Sequence, residues 1–254
     1  MKHFFLVADW GAKHYLTVPN ILLSAGMVYH PKKKGWDMSR TNLPHGFPDK
    51  LMLDSGGYSL LNTWGKYPFT LDEYTELAHT LIDSYPLYKI ATLDIPCDTQ
   101  KDNKNRIEET VKNAVDCIGF DDSLPWMPVI QGHTIQEYHY CIELYREYGI
   151  FADLWGVGSI VSRKKNPLEL RNIITTIKKE MGDAKLHAFG LGIPQIKDPQ
   201  IFNAIHSSDS AAWNWWISGD DSRRRKEESA IAYWAQMQDM IEAMDNQTFL
   251  EEFS

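Results

Sequence analysis

Short apolar runs, each too brief to make a helix, recur along the chain near 4–8, 20–25, 51–54, 89–94, 127–131, 154–158, 186–191 and 204–209. Between the later runs lie amphipathic patterns with helical spacing, at 71–84, 104–118, 135–148 and 167–181, and a last one follows the eighth run at about 223–244. Thr70 with Glu73 three residues on reads as a capping box, and Pro167 suits a first helical position, where its missing N–H costs nothing. Near-continuous apolar strands alternating with helices must be buried on both faces, as strands in parallel sheets are. Over this length the alternation predicts an α/β fold, a (β/α)₈ TIM-type barrel, with a doubly wound open sheet as the structural alternative. Residues 26–50, rich in Pro, Lys and Gly, show no helical pattern and read as a long loop.

No linker-like or low-complexity stretch divides the 254 residues, so residues 1–254 read as a single barrel domain closed by a C-terminal helix. The apolar run from Phe4 to Ala8 stops at Asp9, too early for a signal-peptide core or a membrane span, and the expectation is a cytoplasmic protein without membrane contact. Cys97, Cys117 and Cys141 are far apart and form no CxxC pair. They read as reduced structural thiols, not a disulfide framework or a metal site. A net charge of −8 argues against nonspecific coating of nucleic acid, which needs cations to displace counterions. The cations are nonetheless clustered: Lys32-Lys33-Lys34, Lys101 with Lys104 and Arg106, Arg163-Lys164-Lys165, and Arg223-Arg224-Arg225-Lys226 follow strands two, four, six and eight. In a barrel they would share one rim.

That rim is also where barrel enzymes gather their catalytic groups, at the carboxyl ends of the strands. Strand three ends in Asp54-Ser55-Gly56-Gly57-Tyr58, a carboxylate followed by a flexible turn and a flat ring. The next strand ends deliver Asp94, then Gln131, then Gly156-Val157-Gly158, then Phe189-Gly190, and finally Asp209. Each has an ordinary explanation: Asp54 and Asp209 as turn caps, Asp94 as a helix cap, Gln131 as a loop donor, the aromatics as core. Those explanations leave the shared strand-end position unaccounted for.

In this order and spacing, DSGGY, LDIPC, VIQG, WGVGS, FGLGIP and SSDS resemble the motif series of the tRNA-guanine transglycosylase superfamily. The likeness spans about residues 50–215 and is closer to the short branch that puts 7-deazaguanines into DNA than to the tRNA enzymes. It implies base exchange, with guanine removed from its sugar and a 7-deazaguanine inserted without strand cleavage. Asp209 would be the nucleophile, attacking the anomeric carbon as in a retaining glycosidase, and Asp54 the general acid/base. The resemblance gives Asp94 and Gln131 the edge of the base, and Tyr58 and Phe189 its two faces. Ser55 and Gly56 would lie beside the base, and the backbone of Gly156, Val157 and Gly158 near its seven-position substituent.

The implied partners are DNA, with tRNA as the alternative, and a free 7-deazaguanine base. The target base must be reached unstacked. Arg223, Arg224, Arg225, Arg163 and Lys164 would hold the flanking phosphates, and Trp213, Trp215 and Trp216 would plug the barrel end. No cofactor is implied. The tRNA branch carries a zinc segment after its nucleophile, and here no cysteine beyond Cys141 can supply one, so no metal is expected. His133 replaces a usual glycine and Ser59 a usual glutamine. Competing readings are a retaining N-glycoside hydrolase and a noncatalytic nucleic-acid-binding barrel; a homodimer is left open.

Overall fold

The computed structural model describes residues 1–8, 18–40, 48–97, 102–215 and 222–252, with the side chains at 215, 222–227 and 247–252 outside the description. The elements in chain order are β1 (His3–Val7), β2 (Asn20–Ser24), α1 (Ala25–Val28), β3 (Tyr29–His30), β4 (Gly35–Trp36), β5 (Lys50–Asp54), α2 (Gly57–Trp64), α3 (Leu71–Ile82) and β6 (Leu87–Ala91). They continue with α4 (Asn103–Phe120), β7 (Trp126–Met127), β8 (Val129–Ile130), α5 (Ile135–Glu147), β9 (Leu154–Val157), α6 (Pro167–Met181) and β10 (Lys185–Ala188). Last come α7 (Ile193–Ile196), α8 (Pro199–Ala204), β11 (Ser207–Ser210) and α9 (Ser222–Glu252).

One parallel sheet has the order β7-β6-β5-β2-β1-β11-β10-β9-β8. Its two ends are the halves of one stave, split by Pro128, which has no N–H to give a ladder. The first half pairs with β6 and the second with β9, while the Pro128 carbonyl accepts from Gly156 N–H at 2.8 Å. The sheet therefore closes on itself as the predicted (β/α)₈ TIM-type barrel.

Strand parity sorts the apolar side chains into two layers. Phe4, Leu6, Ile21, Leu23, Leu51, Leu53 and Trp155 face outward into the layer shared with the helices. Phe5, Leu22, Met52, Met127, Val129 and Leu154 fill the barrel interior. The helices meet the outer layer with 3.6-residue spacing, as with Leu170, Ile173, Ile174 and Ile177 of α6. Each such side chain contributes about 1.5–3 kcal/mol by leaving water. Thr70 and Thr134 both close capping boxes, with Glu73 and Glu137, and Asn166 caps α6 ahead of Pro167. Trp213 is fully buried and donates its indole N–H to Val7 O at 3.0 Å. Trp216 and the Trp215 side chain lie outside the described residues.

Several elements depart from the sequence expectations. Residues 26–50 are not one long loop: α1, the antiparallel pair β3–β4 and a short 3₁₀ turn at Met38–Arg40 occupy the described part. The eighth strand starts later than expected, because Pro199 opens α8, capped by Asp198, across 199–204. The last helix runs to Glu252. No described helix is long and apolar enough to cross a membrane.

Candidate active site

The inward parity that places Met52, Leu22 and Phe5 in the interior carries on, two residues later, to Asp54, Ser24 and Val7 at the carboxyl ends of β5, β2 and β1. These three, with Asp94, Gln131, Gly158, Ser159, Phe189, Gly190, Asp209 and the turn at Gly56–Ser59, line a cavity of about 310 Å³. Asp54, Asp94 and Asp209 thus open onto one space, although they are far apart along the chain.

Asp94 is buried and held by two side-chain donors. Ser55 Oγ donates to its Oδ1 at 2.6 Å and Gln131 Nε2 to its Oδ2 at 2.5 Å. A second tier fixes the donors. Ser159 Oγ donates to Gln131 Oε1 at 2.6 Å and accepts from Cys97 N–H at 2.6 Å, while the Tyr67 hydroxyl lies 3.0 Å from Ser55 Oγ and 2.7 Å from Asp94 O. Burial raises the Asp94 pKa, and the bonds from Ser55 and Gln131 oppose the rise by favouring the ionised form. Each carboxylate oxygen retains a lone pair, and Gln131 a second amide hydrogen, for a ligand in the cavity. Gly158 is a geometric requirement of this network, because a Cβ there would sit 2.2 Å from Gln131 Nε2. Ser159 pays for its place with φ 57°, a left-handed conformation costing about 1–2 kcal/mol in a residue with a side chain.

Asp54 has a different environment. Gly56, at φ 75°, turns its N–H back to Asp54 Oδ2 at 3.0 Å, and the Ser24 hydroxyl also bonds the carboxylate. Burial, reinforced by the charges of Asp94 and Asp209, outweighs these donors and raises its pKa to about 7. A carboxyl so poised can give and take a proton at neutral pH.

Asp209, buried at the end of β11, accepts from Gly190 N–H at 2.9 Å and lies 3.1 Å from Nε2 of the fully buried His187. Lys164, half-buried in the 3₁₀ turn Val161–Lys165, feels the Asp209 charge: burial lowers its pKa and Asp209 opposes that. Phe189 has its ring over Gly156 and 4.7 Å from the His187 ring at 80°.

A model of the protein family described as DpdA, DeoxyPurine in DNA protein A, matches residues 11–222. The chain belongs to the DpdA family. That is the deazapurine-in-DNA transglycosylase branch that the motif series resembles. No curated protein sequence matches the chain.

In this DpdA-family barrel, Tyr58 and Phe189 both line the cavity, Tyr58 largely exposed at 66% and Phe189 half-buried. Ser55 serves through Asp94 and is not itself among the lining residues. Of the 156–158 segment, Gly158 lines the cavity, and backbone groups of all three residues bond within the barrel. Gly156 N–H goes to Pro128 O, Gly158 N–H to Ile130 O, Val157 O accepts from Phe189 N–H, and Gly158 O from the Tyr138 hydroxyl. Val157 points its side chain into the outer core. The side chain of Ser159, which ends the WGVGS motif, lines the cavity beside Gly158 and is a site residue not singled out from the sequence.

Arg163 departs from expectation. It is 4% exposed, and its guanidinium bonds Ser159 O, Ser162 Oγ, and both the ring and the carbonyl of His133, with Glu169 at 3.5 Å. It clamps the loops after β8 and β9 together, is not among the residues lining the cavity, and so is no phosphate contact of the rim. His133, left open by the sequence, is the partner in that clamp. The side chains of Arg223, Arg224 and Arg225 lie outside the described residues, as does Lys101. Cys97, Cys117 and Cys141 are buried free thiols.

Proposed function

We propose that this DpdA-family protein is a base-exchange glycosyltransferase that replaces guanine in DNA with a 7-deazaguanine derivative through a covalent glycosyl–Asp209 intermediate. The observation that carries the proposal is the convergence of Asp54, Asp94 and Asp209 on one cavity walled by Tyr58 and Phe189.

Asp94 accepts from the N1–H and exocyclic amine of a guanine-type base, a pattern adenine and the pyrimidines cannot match, and the free Gln131 amide hydrogen meets the base carbonyl. The Asp209 carboxylate attacks C1′ while the C1′–N9 bond breaks, and the departing guanine takes the Asp54 proton. After guanine leaves, N9 of the incoming 7-deazaguanine attacks C1′, the ester to Asp209 breaks, and the N9 proton passes to Asp54. Both acids are then restored. A carboxyl with a pKa near 7 serves both halves of this cycle without an external acid or base. Lys164, whose charge interacts with that of Asp209, would meet a phosphate flanking the target sugar.

The test is nucleoside mass spectrometry of duplex DNA, single-stranded DNA and tRNA after incubation with candidate 7-deazaguanines. Incorporation into DNA is expected; incorporation into tRNA alone would overturn the choice of polynucleotide, and guanine release without incorporation would indicate a hydrolase. Asp209→Asn should abolish a trapped protein–nucleic acid adduct, whereas Asp54→Asn, with no proton for the departing guanine, should form adduct slowly, retain it and block turnover.

A further inference from the structure

We infer that His187 is a positioning residue for the nucleophile: with Gly190 N–H, it occupies Oδ1 of Asp209, so that Oδ2 is the oxygen that attacks the sugar. The inference rests on Asp209 being the nucleophile. Among the described residues, both hydrogen bonds to Asp209 fall on the same oxygen, His187 Nε2 at 3.1 Å and Gly190 N at 2.9 Å. An ionised carboxylate only accepts, so His187 Nε2 carries the hydrogen of that contact. Nδ1 lies 2.9 Å from Ser207 Oγ, and with the ring hydrogen on Nε2 it accepts the serine hydroxyl. The carboxylate thereby sets the tautomer, and the Ser207 hydroxyl, able to donate or accept, matches it by donating to Nδ1.

The backbone enforces the arrangement. His187, Ser207 and Asp209 face inward on the paired strands β10 and β11, with His187 registered opposite Ser207, so the ring lies beside both serine and carboxylate. Phe189 packs edge-on against the imidazole, at 4.7 Å and 80°. The ring that orients the nucleophile therefore also supports the ring on which the base stacks. With one oxygen pinned by two donors, rotation of the carboxylate is suppressed and the other oxygen meets C1′ in a fixed orientation, the kind of preorganisation that raises kcat more than it lowers KM.

The test uses the full-length protein. In wild-type enzyme labelled with ¹⁵N-histidine, His187 should show a hydrogen-bearing Nε2 and a bare Nδ1 at neutral pH; the opposite tautomer would overturn the inference whether or not any variant folds. His187→Leu should slow adduct formation about 10- to 100-fold, the loss of one hydrogen bond to a charged group. His187→Gln, whose amide N–H can reach Oδ1, should recover most of that loss. Adduct rates in both variants equal to wild type, while Asp209→Asn forms none, would refute the positioning role. Adduct formation by Asp209→Asn would instead show that the assignment of the nucleophile itself had failed.

Discussion

Asp54→Asn should stabilise the protein at alkaline pH while removing turnover. The carboxyl goes from an ordinary 3.8 to about 7 on folding, because it is buried and faces Asp94 and Asp209. Between those values the folded protein keeps a proton that the unfolded chain has released, so this group's contribution to stability is fully present below about pH 4 and is lost as pH rises through 7. At about 1.36 kcal/mol per tenfold change in proton affinity, the ceiling on that decline is on the order of 4 kcal/mol. Asp54 is only half-buried, and solvent screening brings the expectation to about 1–2 kcal/mol, or about 3–6 °C in Tm for a chain of this size. Asparagine keeps the shape and an oxygen for Gly56 N–H but never ionises, so its melting curve lacks this slope. Paired thermal melts from about pH 3.5 to 9 should show the difference between variant and wild type smallest at the acid end and growing, in the variant's favour, up to a plateau above pH 8. Parallel curves would mean that Asp54 is an ordinary solvated carboxylate and that its acid/base role lacks a physical basis.

Gly158→Ala should cost binding of the free base about 10- to 100-fold by calorimetry, with Tm little changed, because the new methyl displaces Gln131 from Asp94. Arg163→Ala should lower Tm, on the order of 3 kcal/mol for a buried clamp left with unpaired partners, and leave the salt dependence of DNA binding unchanged by filter binding.

How far the sequence could be read depended on the range of the forces that fix each residue. Asp54, Asp94, Gln131 and Asp209 could be found because each sits where an apolar run breaks, and a parallel barrel brings all such breaks to one rim. Residues 26–50 resisted because their strands are two residues long and are held by distant partners: Trp36 donates to Glu73 O at 2.7 Å, the Tyr29 hydroxyl to Pro68 O at 3.0 Å, and both rings pack on Phe69. The run Arg163-Lys164-Lys165 misled for a geometric reason. A 3₁₀ turn has three residues per turn, so neighbours point about 120° apart, and Arg163 is buried, Lys164 half-buried and Lys165 exposed. His187 did leave a signal: it precedes Phe189 by two positions and so must share its face of the strand.

The cavity holds acids that would repel one another if they were equivalent, and a polyanionic substrate must approach them on a protein of net charge −8. The structure makes them inequivalent. Asp94 is bonded on both oxygens by side-chain donors, which suits a fixed acceptor that reads a base. Asp209 is bonded on one oxygen by His187 and Gly190, which leaves its other oxygen for the sugar in the proposed mechanism. Asp54 has the weaker set of donors against burial and two neighbouring charges, and so it is the one whose proton stays on longest. In the proposed mechanism, holding that proton would remove one negative charge from the cavity as the substrate arrives, and giving it up would coincide with departure of the first base. The repulsion among the carboxylates is thus what tunes Asp54: neutralising Asp94 as Asp94→Asn should lower the pH at which Asp54 titrates, moving the alkaline limb of the activity profile to lower pH. An unmoved limb would show that burial alone sets it.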